Sequence, residues 1–248
     1  MAVSVAMAVY NGEKYLEQQI RSIADQLTAD DELIVSYNES NDSTKEILER
    51  LAEEYSCIHC VLCEKKGVLS NFEHAVSKCT KEIIFLSDQD DLWMKDKVQT
   101  VLEAMRKSNA VVAMHDCIYT DSDLNETGNT LFQDRNVRTG YWKNLIRNGY
   151  QGSCMAFRKE LCDVILPFPE DIAMHDQWIG MLGEKCGNTV LIDQVLMKYR
   201  RHEDVSSTDH VPYMKKLIWM KNLMCEIRIR TRDKNEVITQ MRQRWSVK

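Results

Sequence analysis

The chain has 248 residues, 44% apolar and 28% charged, with only three prolines and nine glycines, which excludes disorder, low complexity and fibrous repeats. That length can bury one substantial core with an appended helical element. The formal charge of −6 is unevenly spread: residues 213–248 hold ten Lys/Arg against three Asp/Glu, and residues 1–212 hold 22 against 35. So acidic a body would repel phosphate chains, which excludes nucleic-acid binding.

In chain order, Ala2 to Val9 reads as a buried first strand. No basic segment precedes it, and it is too short for a signal peptide or a membrane span. A helix is predicted over 13–27, with Leu16, Ile20, Ile23, Ala24 and Leu27 on one face. Leu33 to Val35 forms a second strand, and Ser43 offers an N-cap to the next helix with Glu46 at the capping-box position. A third strand over 57–63, a helix over 69–78, a fourth strand over 83–86, a helix over 95–108 and a fifth strand over 110–114 follow. Alternating strands and helices with short links imply right-handed crossovers and a mostly parallel α/β sheet flanked by helices. The second half is less regular: strands near 152–157 and 189–199 flank a helix over 175–186, and a basic helical stretch over 212–245 closes the chain. The expected organisation is one domain over 1–206, divided at 114/115 into a donor half and an acceptor half, then a C-terminal helical extension over 207–248.

Cys57, Cys60 and Cys63 form a C-x-x-C-x-x-C run with His59 inside it. On a strand these thiols alternate in direction, and Gly67 stands where an iron–sulfur run wants its fourth cysteine. Buried structural thiols are the preferred reading. Nine cysteines without a secretory leader suit a reducing, cytoplasmic compartment.

The strongest chemical signal is Ser87-Asp88-Gln89-Asp90-Asp91 at the end of the apolar fourth strand. Ligands collect at the carboxyl ends of strands in such sheets. Two carboxylates one residue apart can hold a hard divalent cation and leave positions open for phosphate oxygens. The plainer alternative is a solvated turn capping the next helix.

Five strings in order resemble family-2 glycosyltransferases of the GT-A (Rossmann-like) fold, in the subgroup labelled rhamnosyltransferase-like. They are residues 3–16, Gly67-Val68-Leu69-Ser70-Asn71-Phe72, Phe85 to Trp93, Met174-His175-Asp176-Gln177-Trp178 and Tyr199-Arg200-Arg201-His202. The resemblance implies an inverting transfer of a sugar from a dTDP- or UDP-sugar to a saccharide or lipid-linked acceptor, in cell-surface polysaccharide or O-antigen synthesis. It implies that Ala8 and Tyr10 line the base, Asp88 reaches the ribose, and Asn71 and Gln89 belong to the donor site. Asp90 would hold Mn²⁺ or Mg²⁺, with His202 as a further metal or phosphate contact and Arg200 or Arg201 near phosphate. Asp176 matches the general base, since a carboxylate must face the attacking hydroxyl opposite the leaving group; His175 would orient it. Without that family context the favoured reading of His175 and Asp176 is a helix cap. Trp178 and Trp142 are candidates to stack on sugar rings, against the commoner role of core aromatics.

The pattern departs from the family after the second strand, where an Asp-Asp-Gly-Ser string is usual and this chain has Ser36-Tyr37-Asn38-Glu39-Ser40. The amide oxygen of Asn38 can still accept from a pyrimidine N–H, without the charge. The departure also admits a catalytically impaired homologue that binds nucleotide sugar or a partner without turnover. For the tail, Met214, Leu217, Ile218, Met220, Leu223 and Met224 among basic residues suit peripheral contact with an anionic membrane surface, docking on the acidic body, or pairing in a homodimer.

Overall fold

The computed structural model describes residues 1–201 and 213–245. Its centre is a nine-stranded sheet ordered β3-β2-β1-β4-β8-β6-β9-β5, with β7 paired to β6. The strands are β1 (Val3–Val9), β2 (Glu32–Tyr37), β3 (Ile58–Leu62), β4 (Ile83–Ser87), β5 (Leu92–Trp93), β6 (Val112–Thr120), β7 (Glu126–Thr130), β8 (Met155–Arg158) and β9 (Thr189–Arg200). Four neighbouring strands, β3, β2, β1 and β4, run parallel. β8 enters antiparallel between β4 and β6, and β9 runs parallel to β6. β4 is buried at every position and β1 at all but one. Such strands are covered on both faces, which is why they read as continuous apolar runs.

The helices are α1 (Leu16–Ala24), α2 (Thr44–Glu54), α3 (Val68–Lys78), α4 (Lys97–Ser108), α5 (Leu131–Arg135), α6 (Tyr141–Ile146), α7 (Cys162–Ile165), α8 (His175–Cys186), α9 (Tyr213–Asp233) and α10 (Asn235–Trp245). Leu16, Ile20, Ile23 and Ala24 form the buried face of α1, as their spacing predicts. The helix is shorter than expected because residues 12–15 are taken up by a turn closed by Tyr15 N–H on the Gly12 carbonyl at 3.1 Å. Ser43 occupies the N-cap of α2, but its side chain makes no cap bond. Asp42 does this work, accepting from the Thr44 amide at 3.1 Å, so the expected capping box is absent.

The expected strand over 110–114 extends to Thr120 and crosses the anticipated boundary at 114/115, so one sheet runs through both halves. Residues 152–154 form a 3₁₀ turn before β8. The basic tail is two helices, α9 and α10, separated at Lys234. Their buried residues Leu223, Ile227, Ile238 and Met241 join the main core. Arg230 donates to the carbonyls of Val164, Leu166 and Pro167 at 2.7, 2.9 and 2.7 Å, and Trp245 Nε1 donates to Glu160 at 2.8 Å. The extension is thus docked on the body along one side. No described helix is long and apolar enough to cross a membrane.

The cysteine run behaves as strand alternation requires. Cys60 Sγ faces the Leu48 carbonyl on α2, whereas Cys63 Sγ lies 3.3 Å from the Lys65 carbonyl on the way to α3. No group of His, Cys, Asp or Glu side chains that could hold a metal gathers there among the described residues.

Candidate active site

Parallel β2, β1 and β4 end side by side, and the loops leaving them open a cavity of about 500 Å³. Nine of the residues singled out in the sequence line it: Ala8, Tyr10, Asn38, Asn71, Asp88, Gln89, Asp90, His175 and Asp176. The first seven come from strand ends and α3 on one wall. The last two come from the N-terminus of α8 on the other.

On the strand-end wall most amides are already committed to the backbone. Gln89 accepts from the Tyr10 amide at 2.8 Å and donates to the Tyr10 carbonyl at 3.0 Å, stapling the loop after β1 to the loop after β4. A Cβ on Gly12 would stand 2.9 Å from Gln89 Oε1, so glycine there permits the approach. Asn71 donates to the Val9 carbonyl at 3.0 Å and accepts from Ser36 Oγ at 2.5 Å. Asn38 donates to the carbonyls of Cys63 and Lys65 at 2.7 and 3.2 Å. Its amide oxygen receives no bond from a described residue and is left as an acceptor facing the cavity.

Arg200 was a candidate phosphate contact; the fold spends it elsewhere. It is buried, with Nε donating to the Asp90 carbonyl at 2.7 Å, Nη2 to Gln18 at 2.8 Å and Nη1 to the Ser122 carbonyl. Its backbone N–H donates to Asp91 Oδ1 at 3.1 Å. Arg200 therefore clamps the acidic loop from behind. Arg201 lies over the Tyr119 ring at 3.8 Å.

The acidic loop concentrates negative charge. Burial and the neighbouring Asp90 carboxylate push the Asp88 carboxyl up to about 7. Asp91 is fully buried and raised well above the usual range by desolvation, and then by Asp90 and Asp88. Its Oδ2 has no partner among the described residues. Behind the loop lies Lys97, wholly buried, its ammonium donating to the Ser153 carbonyl at 2.9 Å and lying 3.8 Å from the Trp93 ring centroid. Desolvation lowers it to about 8, and Asp91 and Asp88 oppose that shift. Paired carboxylates this crowded are what a hard divalent cation neutralises, so Asp88 and Asp90 fit one. His202 lies outside the described residues, and no cluster of three or more metal-binding side chains forms among those described. An open site of one or two carboxylates is the usual arrangement where substrate phosphates complete the coordination.

On the opposite wall, Asp176 is buried in the first turn of α8. Its Oδ1 accepts from Asn148 Nδ2 at 3.2 Å and from the Gln177 amide at 2.5 Å. Burial outweighs those bonds and raises its carboxyl to about 6. His175 stacks on Phe72, ring centroids 3.9 Å apart, and its buried Nε2 has no partner among the described residues. Desolvation alone lowers it to about 3, so the ring is neutral at physiological pH. The Met174 N-cap makes no side-chain bond, and Met174, His175 and Asp176 at the start of α8 all line the cavity.

Trp178 is corrected. It is fully buried, its Nε1 donating to the Ile165 carbonyl at 2.9 Å, with Arg230 over its ring at 5.2 Å. It is a core residue with no face for a sugar. Trp142 lies on the surface of α6, outside the cavity lining. The sequence reading missed three residues of the site. Asn148 carries no motif that could have revealed it. Gly152 is required because a Cβ would approach His175 Nε2 to 2.8 Å. Lys97 is a lysine at a helix start that the pattern alone would leave in solvent.

Comparison with known proteins accords with this geometry. The family model of glycosyl transferase family 2 matches residues 4–166. A dTDP-rhamnosyl transferase, RfbG of Shigella flexneri, is 27% identical over 213 residues, covering 80% of this chain and 72% of that protein. A Campylobacter jejuni GalNAc(5)-diNAcBac-PP-undecaprenol beta-1,3-glucosyltransferase is 25% identical over 74% of this chain and 60% of its own length. Among solved structures, S. aureus TarS 1-349 in complex with UDP-GlcNAc superposes with a TM-score of 0.70 at 17% identity, covering 97% of this chain and 71% of that one. The mannosyltransferase PcManGT from Pyrobaculum calidifontis, in complex with GDP-Man and Mn²⁺, gives 0.61 at 16% identity, over 94% of this chain and 75% of that one. With its family model matched over more than half its length and its fold shared with GT-A enzymes, the chain belongs to glycosyl transferase family 2 and is a glycosyltransferase.

Proposed function

We propose that the chain is an inverting, metal-dependent enzyme that moves a sugar from a nucleotide-diphosphate donor to a saccharide or lipid-linked acceptor in cell-surface polysaccharide or O-antigen synthesis. The observation that carries this reading is the gathering of two acidic groups from different elements in one cavity: Asp88 and Asp90 at the end of β4, and Asp176 at the start of α8. An inverting displacement needs charge handling at the leaving group and a base on the far side of the anomeric carbon.

Asp176 takes the proton of the acceptor hydroxyl as its oxygen bonds to the anomeric carbon and the bond to the diphosphate breaks. A carboxyl near 6 is ionised at neutral pH yet more basic than an ordinary aspartate, which suits a general base. Asn148 fixes the orientation of that carboxylate. Asp90, with Asp88, would hold Mn²⁺ or Mg²⁺, which when bound supplies positive charge to the departing diphosphate. On the donor side the Asn38 amide oxygen accepts the ring N–H of uracil or thymine, which favours UDP- or dTDP-sugars. Gln89 and Asn71 act by holding the loops that frame the donor.

The Tyr37-Asn38-Glu39 departure motivates a second reading, a homologue that binds donor without turnover. Thermal unfolding with UDP-, dTDP- and GDP-sugars, with and without Mn²⁺, tests the donor site first. Stabilisation by a pyrimidine diphosphate sugar that EDTA abolishes is expected. Transfer assays with the stabilising donor then separate the readings: Asp90→Ala should abolish transfer, and activity undiminished in that variant would sink the metal-dependent mechanism.

A further inference from the structure

The tail that docks on the body leaves part of α9 uncovered, with Met214 and Ile218 exposed, and α9 also packs against α6. Each helix exposes apolar side chains one turn apart. On α6 these are Trp142 and Ile146, 67% and 81% exposed; on α9 they are Met214 and Ile218, 68% and 54% exposed. Residues four apart share a helix face, so each pair forms a short stripe. Large apolar groups this exposed, on two touching helices, mark an interaction surface.

The charge around them selects the partner. The segments 138–148 and 214–221 contain Arg138, Lys143, Arg147, Lys215, Lys216 and Lys221, all exposed, and no Asp or Glu. None of the six forms an ion pair with another described residue. The chain as a whole carries −6, so this face stands out against an acidic body. We infer that the α6–α9 face docks on an anionic phospholipid surface, its cations among the headgroups and Trp142, Ile146, Met214 and Ile218 in the interfacial layer. Two copies of the same face would set like charges against each other, which disfavours pairing through it. No described helix can span a bilayer, so the contact lies in the interface plane.

The consequence for the site follows from chain distance. Two residues beyond Ile146, Asn148 bonds the Asp176 carboxylate, and Gln177 Nε2 donates to the Asn144 carbonyl of α6 at 2.7 Å. Docking would hold the Asp176 wall of the cavity at the lipid surface, where a lipid-linked acceptor presents its hydroxyl. This second step rests on the transferase reading; the docking itself does not.

Flotation of the full chain with phosphatidylcholine vesicles, plain or containing about one third phosphatidylglycerol, tests it. We expect binding only to the anionic vesicles, lost at high salt, and weakened about tenfold or more by Ile146→Glu or Ile218→Glu. Both variants alter exposed positions, so melting temperature and stabilisation by nucleotide sugar should not change. Absence of wild-type flotation, or variants that float as well as wild type, would overturn the proposal. So would a dimer in vesicle-free solution that Ile146→Glu dissolves, which would assign the face to a second copy. Vesicle binding without any nucleotide stabilisation would instead count against the transferase reading and leave the docking standing.

Discussion

The two walls of the cavity are built differently. On the strand-end wall, Gln89, Asn71, the Asn38 amide and Arg200 bond mostly to backbone, with Ser36 Oγ and Gln18 as side-chain partners, so the loops are tied together within the protein itself. On the α8 wall, His175 Nε2 is buried without a described partner, and Asp176 is held by two bonds that do not offset its desolvation. Both walls hold desolvated carboxyls, Asp88 and Asp91 on one and Asp176 on the other, but only the strand-end wall ties its loops together through several side chains.

Asp176→Asn should sharpen the contrast most. Transfer is expected to fall about a thousandfold, the usual span for loss of a general base. Because burial raises the folded-state carboxyl from 3.8 to about 6, its ionised form opposes folding at neutral pH. The penalty is absent below 3.8, grows as pH rises through about 6, and then stays constant. The asparagine variant should therefore be more stable at pH 7, by up to about 3 kcal/mol, with the gain vanishing in acid. In the wild type, kcat should decline below a pH near 6. Urea titrations and a pH–rate profile measure both; a variant no more stable than wild type at pH 7 would mean the carboxyl is not desolvated.

Arg200→Met tests the strand-end wall. It strips donors from Asp90, Ser122 and Gln18 at once in a buried place, and should cost about 3 kcal/mol in urea unfolding. Donor affinity should fall with it, because the Asp90 backbone loses its clamp. An unchanged donor affinity would show that the acidic loop holds its shape without β9. The smallest effect is expected from Gln89→Ala. Its two bonds to Tyr10 lie near solvent, so stability should drop by about 1 kcal/mol or less while donor KM rises severalfold. A change in kcat with constant KM would contradict a role confined to loop positioning.

Much of this site was legible in residue order. An apolar strand that ends in Asp88-Gln89-Asp90-Asp91 points to a strand terminus at the cavity, and the family resemblance of the string around Asp176 points to the helix start that also lines it. What pattern could not supply was direction. Trp178 follows Asp176 by two residues in α8, which turns it to the opposite side of the helix and into the core. Arg200 resembles a phosphate ligand until β9 is placed beside the acidic loop. Asn148 touches Asp176 only because the loop after α6 folds back on α8. The tail read as one basic amphipathic helix; a break at Lys234 lets α10 turn Ile238 and Met241 inward.

The sequence by itself determined the local alternation of strand and helix, the buried character of β1 and β4, and which carboxylates stand at element ends. Those follow from period, hydropathy and chain chirality, all of which act over a few residues. The tertiary structure alone decided which polar groups satisfy one another and which remain under stress, and which faces of α6 and α9 stay uncovered. Those depend on contacts between residues tens of positions apart, whose burial and mutual fields no local pattern encodes.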